Sequence, residues 1–423
     1  MGEKFAIVGP VWNVWKWRLA IAAAAIVAYA PAINNGFIAD DYMILHRIDL
    51  IRADPLYLLD VVPENFRLTS YAVFGVFKSV FGYDYRAFYA FNILLHVVNC
   101  LLLRSLVLEV TGEERLSSLS ALLFAVFQAP QEAVMWLAAM NETLLALFVF
   151  LTLLFWSRER YRWAALSFFA ALFSKESAVI VLLLVPVADI LRRRRIQWQN
   201  YVLLFSPSIV FGSIFVLTLA GNFQVGNGTY VPGFHAVLVL LKSLHRLFWP
   251  WGYVIVILLL AIRRTIPDWR RAAMWCSLIV ATMLPYVFVT YTDNVPSRQV
   301  YLASAAFLPL LAAGMMRVSP KVLVAAFLIF NIGYMWIVKD RQMVERAAPT
   351  TELIGELRQR QPGPLRLSGF PYPIAIIAKA VAVTVPGWRW DQVDLGDSCA
   401  RCILLKWDPV SRRYLALSTF PRL

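Results

Sequence analysis

Near its start the chain carries an apolar segment that runs directly into an acidic pair, WRLAIAAAAIVAYAPAINNGFIADDY from Trp17 to Tyr42. The part from Leu19 to Ile33 has no charged residue and is long enough to enter the hydrocarbon core of a bilayer as a helix. Basic residues, which favour the cytoplasmic side of a membrane, precede it at Lys4, Lys16 and Arg18. Because no small-residue cleavage site follows, we expect a retained first span, about Trp17–Ile33, with the N-terminus inside.

The composition extends this interpretation to most of the 423 residues. Hydrophobic residues make up 60% of the chain and charged residues 16%, whereas soluble domains carry about 45–50% and about 25%. Apolar segments predict further spans, which brings the total to about eleven, at about 86–108, 116–131, 133–156, 161–174, 176–191, 200–220, 249–262, 272–291, 299–316 and 321–338. The fold class expected is an all-α polytopic membrane protein.

The distribution of charge supports this order of spans. The formal charge is +14, and with the N-terminus inside, basic clusters such as Arg192–Arg195 all fall in cytoplasmic loops. The opposite side receives the acidic and mixed loops, including Asp40, Asp41 and Arg298. We interpret the excess of basic residues as a determinant of membrane topology. These residues are also expected to contact membrane lipids. Binding of nucleic acid is not expected, because it needs a solvated basic face with stacking aromatic residues.

After about residue 338 the sequence becomes polar, which predicts two domains, 1–338 in the membrane and 339–423 outside the cytoplasm. The second domain is expected to be small and α/β. It contains a charged helical stretch, an apolar run and two alternating segments, Glu352–Arg360, Ile374–Val385, Ile403–Lys406 and Tyr414–Leu417. Cys399 and Cys402 lie in this tail, where a local disulfide is favoured over a metal site because no second ligand pair is visible.

Asp40 and Asp41 are the strongest candidates for chemistry. Two adjacent carboxylates repel each other, so one of them is expected to have a raised pKa and to suit proton abstraction. The alternative is a solvated turn that caps a helix.

Polar residues also occur within or beside the spans. His96 shares one helix face with Asn92 and Asn99, which indicates either a functional stripe or ordinary interhelical hydrogen bonding. Glu132 lies close to an apolar segment. Lys175 and Glu176 lie at a predicted reversal between two short spans, where the lysine either holds a phosphate or is neutralised by its neighbour.

Two arginines on the acidic outer side call for an anionic partner. Arg298, which precedes Tyr301 at the start of a span, is one, and Arg67 is the other. A bound anion would satisfy both residues. A local salt bridge or snorkelling of the side chain is the alternative for each.

Five elements occur in the order and at the spacing seen in a known family. They are Gly36-Phe37-Ile38-Ala39-Asp40-Asp41, Phe66-Arg67 with the helix Phe88–Asn99, Glu132-Ala133-Val134-Met135-Trp136, Leu172-Phe173-Ser174-Lys175-Glu176, and Arg298-Gln299-Val300-Tyr301-Leu302-Ala303-Ser304. Together they resemble the GT-C superfamily of membrane glycosyltransferases. The pattern is similar to that of the bacterial relatives of the transmembrane O-mannosyltransferases that carry tetratricopeptide repeats.

Three features depart from that pattern. The His-Pro that precedes the Glu-Ala-Val element in the family is replaced by Phe127 and Gln128, and the family's Arg-x-Asp element becomes Met140-Asn141-Glu142. The repeats are missing, and a small tail takes their place. These departures bear on the acceptor and on the sugar.

The resemblance implies a GT-C-like fold and an enzyme that uses a sugar linked to a polyprenyl phosphate. It implies that Asp40 or Asp41 takes a proton from an acceptor hydroxyl, on a protein or a glycan, and that transfer inverts the anomeric carbon. The donor phosphate would be held by Lys175, Arg298 and Arg67. The substrate would be oriented by Glu132, His96, Glu176 and Tyr301. No cofactor is required, although Mg²⁺ or Mn²⁺ is compatible with the carboxylates.

A transporter or lipid flippase is the competing interpretation, since it too would place charged residues in a membrane cavity. The paired half-sequences that transporters often show are absent. A scaffold without activity does not need Asp40, Lys175 and Arg298 together. The composition favours a bacterial inner membrane with the active site and the tail in the periplasm, and an enzyme of the endoplasmic reticulum would share this topology.

Overall fold

The computed structural model describes residues 11–58, 67–191, 197–218, 223–226, 228–262, 269–372, 374–398 and 402–417. The first half contains the helices α1 Val11–Tyr29, α2 Asp40–Ala53, α3 Leu68–Phe81, α4 Tyr85–Thr111, α5 Glu114–Val126, α6 Glu132–Met135, α7 Met140–Ser157, α8 Tyr161–Leu172 and α9 Val181–Leu191. The second half contains α10 Trp198–Leu217, α11 Phe223–Gly226, α12 His235–Phe248, α13 Trp251–Ala261, α14 Trp269–Val287, α15 Tyr301–Val318, α16 Pro320–Tyr334 and α17 Asp340–Arg358. Phe66, Arg192–Arg195 and Cys399 lie outside the described residues.

The expected all-α membrane architecture is confirmed, but the number of spans is corrected. Six helices of the described chain are long and apolar enough to cross a bilayer, namely Val14–Asn34, Tyr85–Thr111, Leu137–Ser157, Trp198–Leu217, Ser297–Val318 and Pro320–Arg358. A seventh would be the pair α12 and α13, which is bent by 71°. Four of the about eleven predicted spans are not among these seven. α5, α8 and α9 have 13, 12 and 11 residues, fewer than the roughly 20 that one span needs, and α14 counts only as a shorter apolar helix, Arg271–Val287.

The tail forms a four-stranded sheet against helices. Its strands are β1 Leu365–Ser368, β2 Val393–Leu395, β3 Ile403–Asp408 and β4 Arg413–Ala416, in the order β2-β1-β3-β4. β1 is parallel to β2 and β3, and β4 is antiparallel to β3. α18, Ala375–Ala382, packs against α2 and α17. Cys402 is disulfide-bonded.

The last long helix joins the membrane bundle to the tail. A π-helical turn at Met335–Lys339 connects α16 with α17, so the helix is continuous from Pro320 to Arg358. It therefore runs across the predicted boundary between residues 338 and 339, and the division into two domains stays a prediction. Because this helix is continuous, residues of α17 lie at the end of the bundle where α2 begins.

Candidate active site

The turn between α1 and α2 is held in place by three separate parts of the chain. Asn35 donates from its amide nitrogen to the carbonyl of Met135 at 3.0 Å, and the Tyr89 hydroxyl donates to the Gly36 carbonyl at 2.9 Å. Thr350 of α17 donates to the carbonyl of Phe37 at 3.2 Å. These bonds fix the backbone that leads into Asp40.

The residue before the acidic pair has an uncommon backbone conformation. Ala39 has a φ of 40°, in the region that side chains with a Cβ rarely adopt. Such a conformation persists only where the surrounding structure imposes it. The turn therefore directs the two side chains at the start of α2 in a defined way.

Asp41 is fully buried, and each of its carboxylate oxygens accepts a hydrogen bond from a backbone N–H group. Its Oδ2 accepts from the backbone N–H of Ile38 at 2.7 Å, and its Oδ1 accepts from that of Ala138 at 2.6 Å. Burial raises the pKa of Asp41 well above its usual value, although these two bonds act in the opposite direction. With no exposed surface, the Asp41 carboxylate ties the turn to the start of α7 and does not reach a substrate.

Asp40 is the exposed member of the pair and faces several cations. The guanidinium groups of Arg298, Arg346, Arg67 and Arg47 all lie within electrostatic range of its carboxylate. The loss of surrounding water raises the pKa of Asp40. The four arginines lower this pKa, but by a smaller amount, so its net shift is upward. An accessible carboxylate with a raised pKa, set among cations, is suited to accept a proton beside a bound anion.

Glu132 binds two of these arginines. One carboxylate oxygen lies 3.1 Å from an Nη1 of Arg346, and the other lies 3.5 Å from that of Arg298. The second oxygen also accepts from the backbone N–H of Ser297 at 3.0 Å. Burial alone would raise the pKa of Glu132, but Arg298 and Arg346 outweigh it and hold this pKa below its usual value. Glu132 therefore keeps the two guanidinium groups side by side.

Trp136 adds a second constraint on the same two arginines. The guanidinium carbons of Arg298 and Arg346 lie 4.8 Å and 4.5 Å from the centre of its ring. Cations over an indole ring are attracted to its π-electrons. The predicted element Glu132–Trp136 thus supplies both a carboxylate and a ring to one pair of cations.

Lys175 belongs to a neighbouring cluster rather than to this pair. It is 7% exposed, forms an ion pair with Glu142, and its ammonium lies 4.5 Å from the ring centre of Tyr286. Tyr286 in turn donates to the same Glu142 carboxylate at 2.7 Å. Lys175 is therefore already partnered, and the cations that act most strongly on Asp40 are Arg298, Arg346, Arg67 and Arg47.

Arg67 connects the two clusters. It lies 3.8 Å from the carboxylate of Glu176, and its charge acts on both Lys175 and Asp40. Its Nε is shielded from solvent and has no hydrogen-bond partner in the described structure. This free donor leaves Arg67 able to bind an anion at the edge of Asp40.

His96 and Tyr301 lie in the buried core, away from these charges. The Nδ1 of His96 and the hydroxyl of Tyr301 are 2.7 Å apart, and the amide of Asn99 donates to the same hydroxyl at 3.2 Å. His96 is completely buried. Both residues tie α4 to α15 and have no surface open to a substrate.

Arg346 and Trp136 are the site residues that sequence reasoning missed. Arg346 follows the last span and reads as part of a polar tail, where one arginine among several gives no signal. Trp136 is the last residue of the Glu-Ala-Val-x-Trp element. The sequence therefore indicates that this position matters but does not predict that its ring binds the two arginines. Among the described residues no three His, Cys, Asp or Glu side chains converge as a metal would need.

Comparison with known proteins gives a match among the solved structures. No family model and no curated protein matches the sequence. A solved structure does match, that of ArnT from Cupriavidus metallidurans bound to undecaprenyl phosphate, with a TM-score of 0.57 and 12% identity over 89% of each chain. The chain has the GT-C fold.

The extent of the match confirms the GT-C-like architecture that the five elements implied. The match covers 89% of this chain, so it extends beyond the shared motifs of residues 36–304. At 12% identity the likeness concerns the GT-C fold alone.

Proposed function

We propose that the protein is a glycosyltransferase that moves a sugar from a polyprenyl phosphate to an acceptor hydroxyl. The observation that carries this proposal is the exposed Asp40 carboxylate faced by Arg67, Arg298 and Arg346. Transfer from a lipid phosphate needs a base for the acceptor and positive charge for the leaving group. The GT-C fold, shared with a protein that binds undecaprenyl phosphate, supports the lipid-linked donor.

In this scheme Asp40 is the catalytic base and Asp41 is not. The acceptor hydroxyl donates its proton to the Asp40 carboxylate, and its oxygen attacks the anomeric carbon. The bond from that carbon to the phosphate oxygen breaks on the opposite side, so the configuration inverts. Asp41 positions Asp40 through the two backbone bonds that hold the turn.

The leaving group is a phosphate that already carries negative charge and needs no acid. Its charge grows as the bond breaks, and fixed cations stabilise that change most when they are oriented beforehand. Arg298 and Arg346 meet this condition because Glu132 and Trp136 hold both. Arg67 supplies a third cation, which Glu176 orients, and Lys175 acts behind it as a positioning residue.

The environment proposed is a bacterial inner membrane with Asp40 and the tail on the periplasmic side. A disulfide-bonded Cys402 suits an oxidising compartment. The acceptor proposed is a hydroxyl of a protein or glycan.

The test uses the full chain in lipid nanodiscs with polyprenyl phosphates that carry radiolabelled pentoses or hexoses. A total cell-envelope extract supplies acceptors. We expect release of free polyprenyl phosphate together with labelled product of inverted configuration, for at least one sugar. If no donor is consumed beyond the rate in empty nanodiscs, or if the product retains the configuration of the donor, the proposal fails.

A further inference from the structure

The tail is bonded to α17 at both ends of that helix. Near its start, the hydroxyl of Tyr372 donates to the backbone carbonyl of Arg346. Near its end, the indole N–H of Trp388 donates to the carbonyl of Leu357 at 3.1 Å. Because the Arg346 side chain is one of the cations beside Asp40, the tail forms part of the surroundings of the candidate base.

The order of strands in the tail indicates where such a sheet would bind a ligand. β1 lies between β2 and β3 and is parallel to both. The chain passes from β1 to β2 on one side and later enters β3 on the other. Open α/β sheets bind ligands outside the carboxyl ends of their parallel strands, at the point where the connections diverge in this way. The loop 369–372, which follows β1, lies at that point.

This loop has a defined shape. Gly369 has a φ of 65°, a conformation that favours glycine, so the chain turns sharply as it leaves β1. Phe370 is buried, and its ring meets that of Tyr372 edge to face with the ring centres 5.6 Å apart. The turn and the ring contact therefore hold Tyr372 in one orientation, with its hydroxyl on α17.

Tyr372 lies close to the acidic pair. Burial raises the pKa of Tyr372 to about 12, with Arg346 acting against this rise and Asp40 and Asp41 adding to it. The hydroxyl is therefore protonated near neutral pH, and it already donates to the Arg346 carbonyl. What Tyr372 offers a substrate is its half-buried ring.

We propose that the loop 369–372 forms the acceptor side of the active site and that the acceptor is a carbohydrate. The choice of acceptor rests on the proposed function, in which Asp40 takes the proton of the acceptor hydroxyl. The face of an aromatic ring is electron-rich and attracts C–H groups. A sugar ring has an apolar C–H face that packs on the Tyr372 ring, while a hydroxyl at its rim reaches the Asp40 carboxylate.

A peptide acceptor would need a different surface. Extended peptides are commonly held by backbone hydrogen bonds along the free edge of a sheet. β1, which leads into the loop, is paired on both sides. Pro371 and Pro373, on either side of Tyr372 in the sequence, have no N–H to donate. A flat ring in a loop with few backbone donors favours a sugar over a peptide strand.

The test uses the full chain in lipid nanodiscs with the labelled polyprenyl-phosphate donor. Two acceptor probes are compared, namely the carbohydrate fraction of a cell-envelope extract after exhaustive proteinase digestion and the protein fraction after chemical deglycosylation. We expect transfer of label to the carbohydrate fraction and none to the protein fraction. Linkage analysis of the product should find the labelled sugar bonded to another sugar.

Variants of Tyr372 separate the role of the ring from that of the hydroxyl. Tyr372→Ala should raise the acceptor KM about tenfold, with a smaller change in kcat and with donor binding retained. Tyr372→Phe keeps the ring and should keep an acceptor KM close to that of the wild type. The matched control is Tyr414→Phe, which also removes a hydroxyl bonded to α17, at the Pro349 carbonyl. Tyr372→Leu keeps apolar volume without a flat ring, and it replaces the alanine variant if thermal unfolding shows that Tyr372→Ala is not folded.

Three results would overturn this inference and leave the proposed function in place. One is transfer of label to the protein fraction alone. Another is an unchanged acceptor KM in both Tyr372→Ala and Tyr372→Leu. The third is a KM in Tyr372→Phe as high as in Tyr372→Ala, because the hydroxyl and not the ring would then be required. If no donor is consumed with either fraction, the proposed function fails and this inference fails with it.

Discussion

Arg346 and Glu132 form an ion pair at 3.1 Å although 214 residues separate them along the chain. The pair joins α17 to the short helix α6. Arg298 shares the same carboxylate and the same indole ring. The candidate site therefore depends on the segment after residue 339 as well as on the membrane bundle.

Arg346→Ala should reduce sugar transfer strongly. Loss of one preorganised donor to developing charge costs about 10²–10³ in kcat, and we expect an effect of that order. The measurement is single-turnover transfer from the labelled polyprenyl phosphate. The matched control is Arg341→Ala, on the same helix, whose exposed partner Glu345 lies outside the site. Equal rates for the two variants would remove Arg346 from the scheme.

The pH profile should report Asp40. Only the ionised carboxylate accepts a proton, so kcat/KM should rise with pH through the raised pKa of Asp40. Arg346 lowers that pKa, so Arg346→Gln should move the acidic limb of the profile to higher pH. Arg341→Gln should leave the limb in place. A shift to lower pH in Arg346→Gln would contradict the electrostatic assignment.

Asp41→Ala should destabilise the fold more than Asp40→Ala. It leaves the backbone N–H groups of Ile38 and Ala138 without acceptors, and each such group costs about 1–3 kcal/mol when buried. Thermal unfolding in detergent measures the difference. Asp40→Ala is the control, because its side chain is exposed and its removal should change Tm little. The reverse order of Tm values would show that Asp41 is not the anchor.

Chelation should leave transfer unchanged. Both oxygens of Asp41 already accept backbone hydrogen bonds. Within the acidic pair, only the Asp40 carboxylate is therefore available to bind a metal ion. Transfer is measured with and without EDTA after extensive dialysis. A loss of activity that Mg²⁺ or Mn²⁺ restores would show that a metal takes part in phosphate binding.

Much of the fold was predictable because hydrophobicity is a local property of the sequence. The long apolar helices, α18 and strands β3 and β4 fall where the composition and alternation placed them. The short helices were overcounted as spans, because burial among neighbours permits an apolar helix of 11–13 residues that a lipid environment would not. Strands β1 and β2 were missed, since segments of four and three residues carry too little pattern.

The candidate site was predictable in its residue types but not in its pairings. Asp40, Glu132, Arg298 and Arg67 come together as charges at one end of the bundle. His96 and Tyr301 instead bond each other in the core, and Lys175 is paired with Glu142. Which cation meets which carboxylate depends on the packing of helices distant in sequence, and no local pattern contains that information. The role of Arg346 could not be predicted from the sequence for the same reason.

The most direct test of the account is single-turnover transfer by Asp40→Asn, with donor binding measured on the same preparation. The amide keeps the shape of the side chain and removes its basicity. The account predicts that donor binding is retained while transfer is lost, and that Asp41→Asn, if folded, keeps measurable transfer. Transfer by Asp40→Asn at the wild-type rate would contradict it.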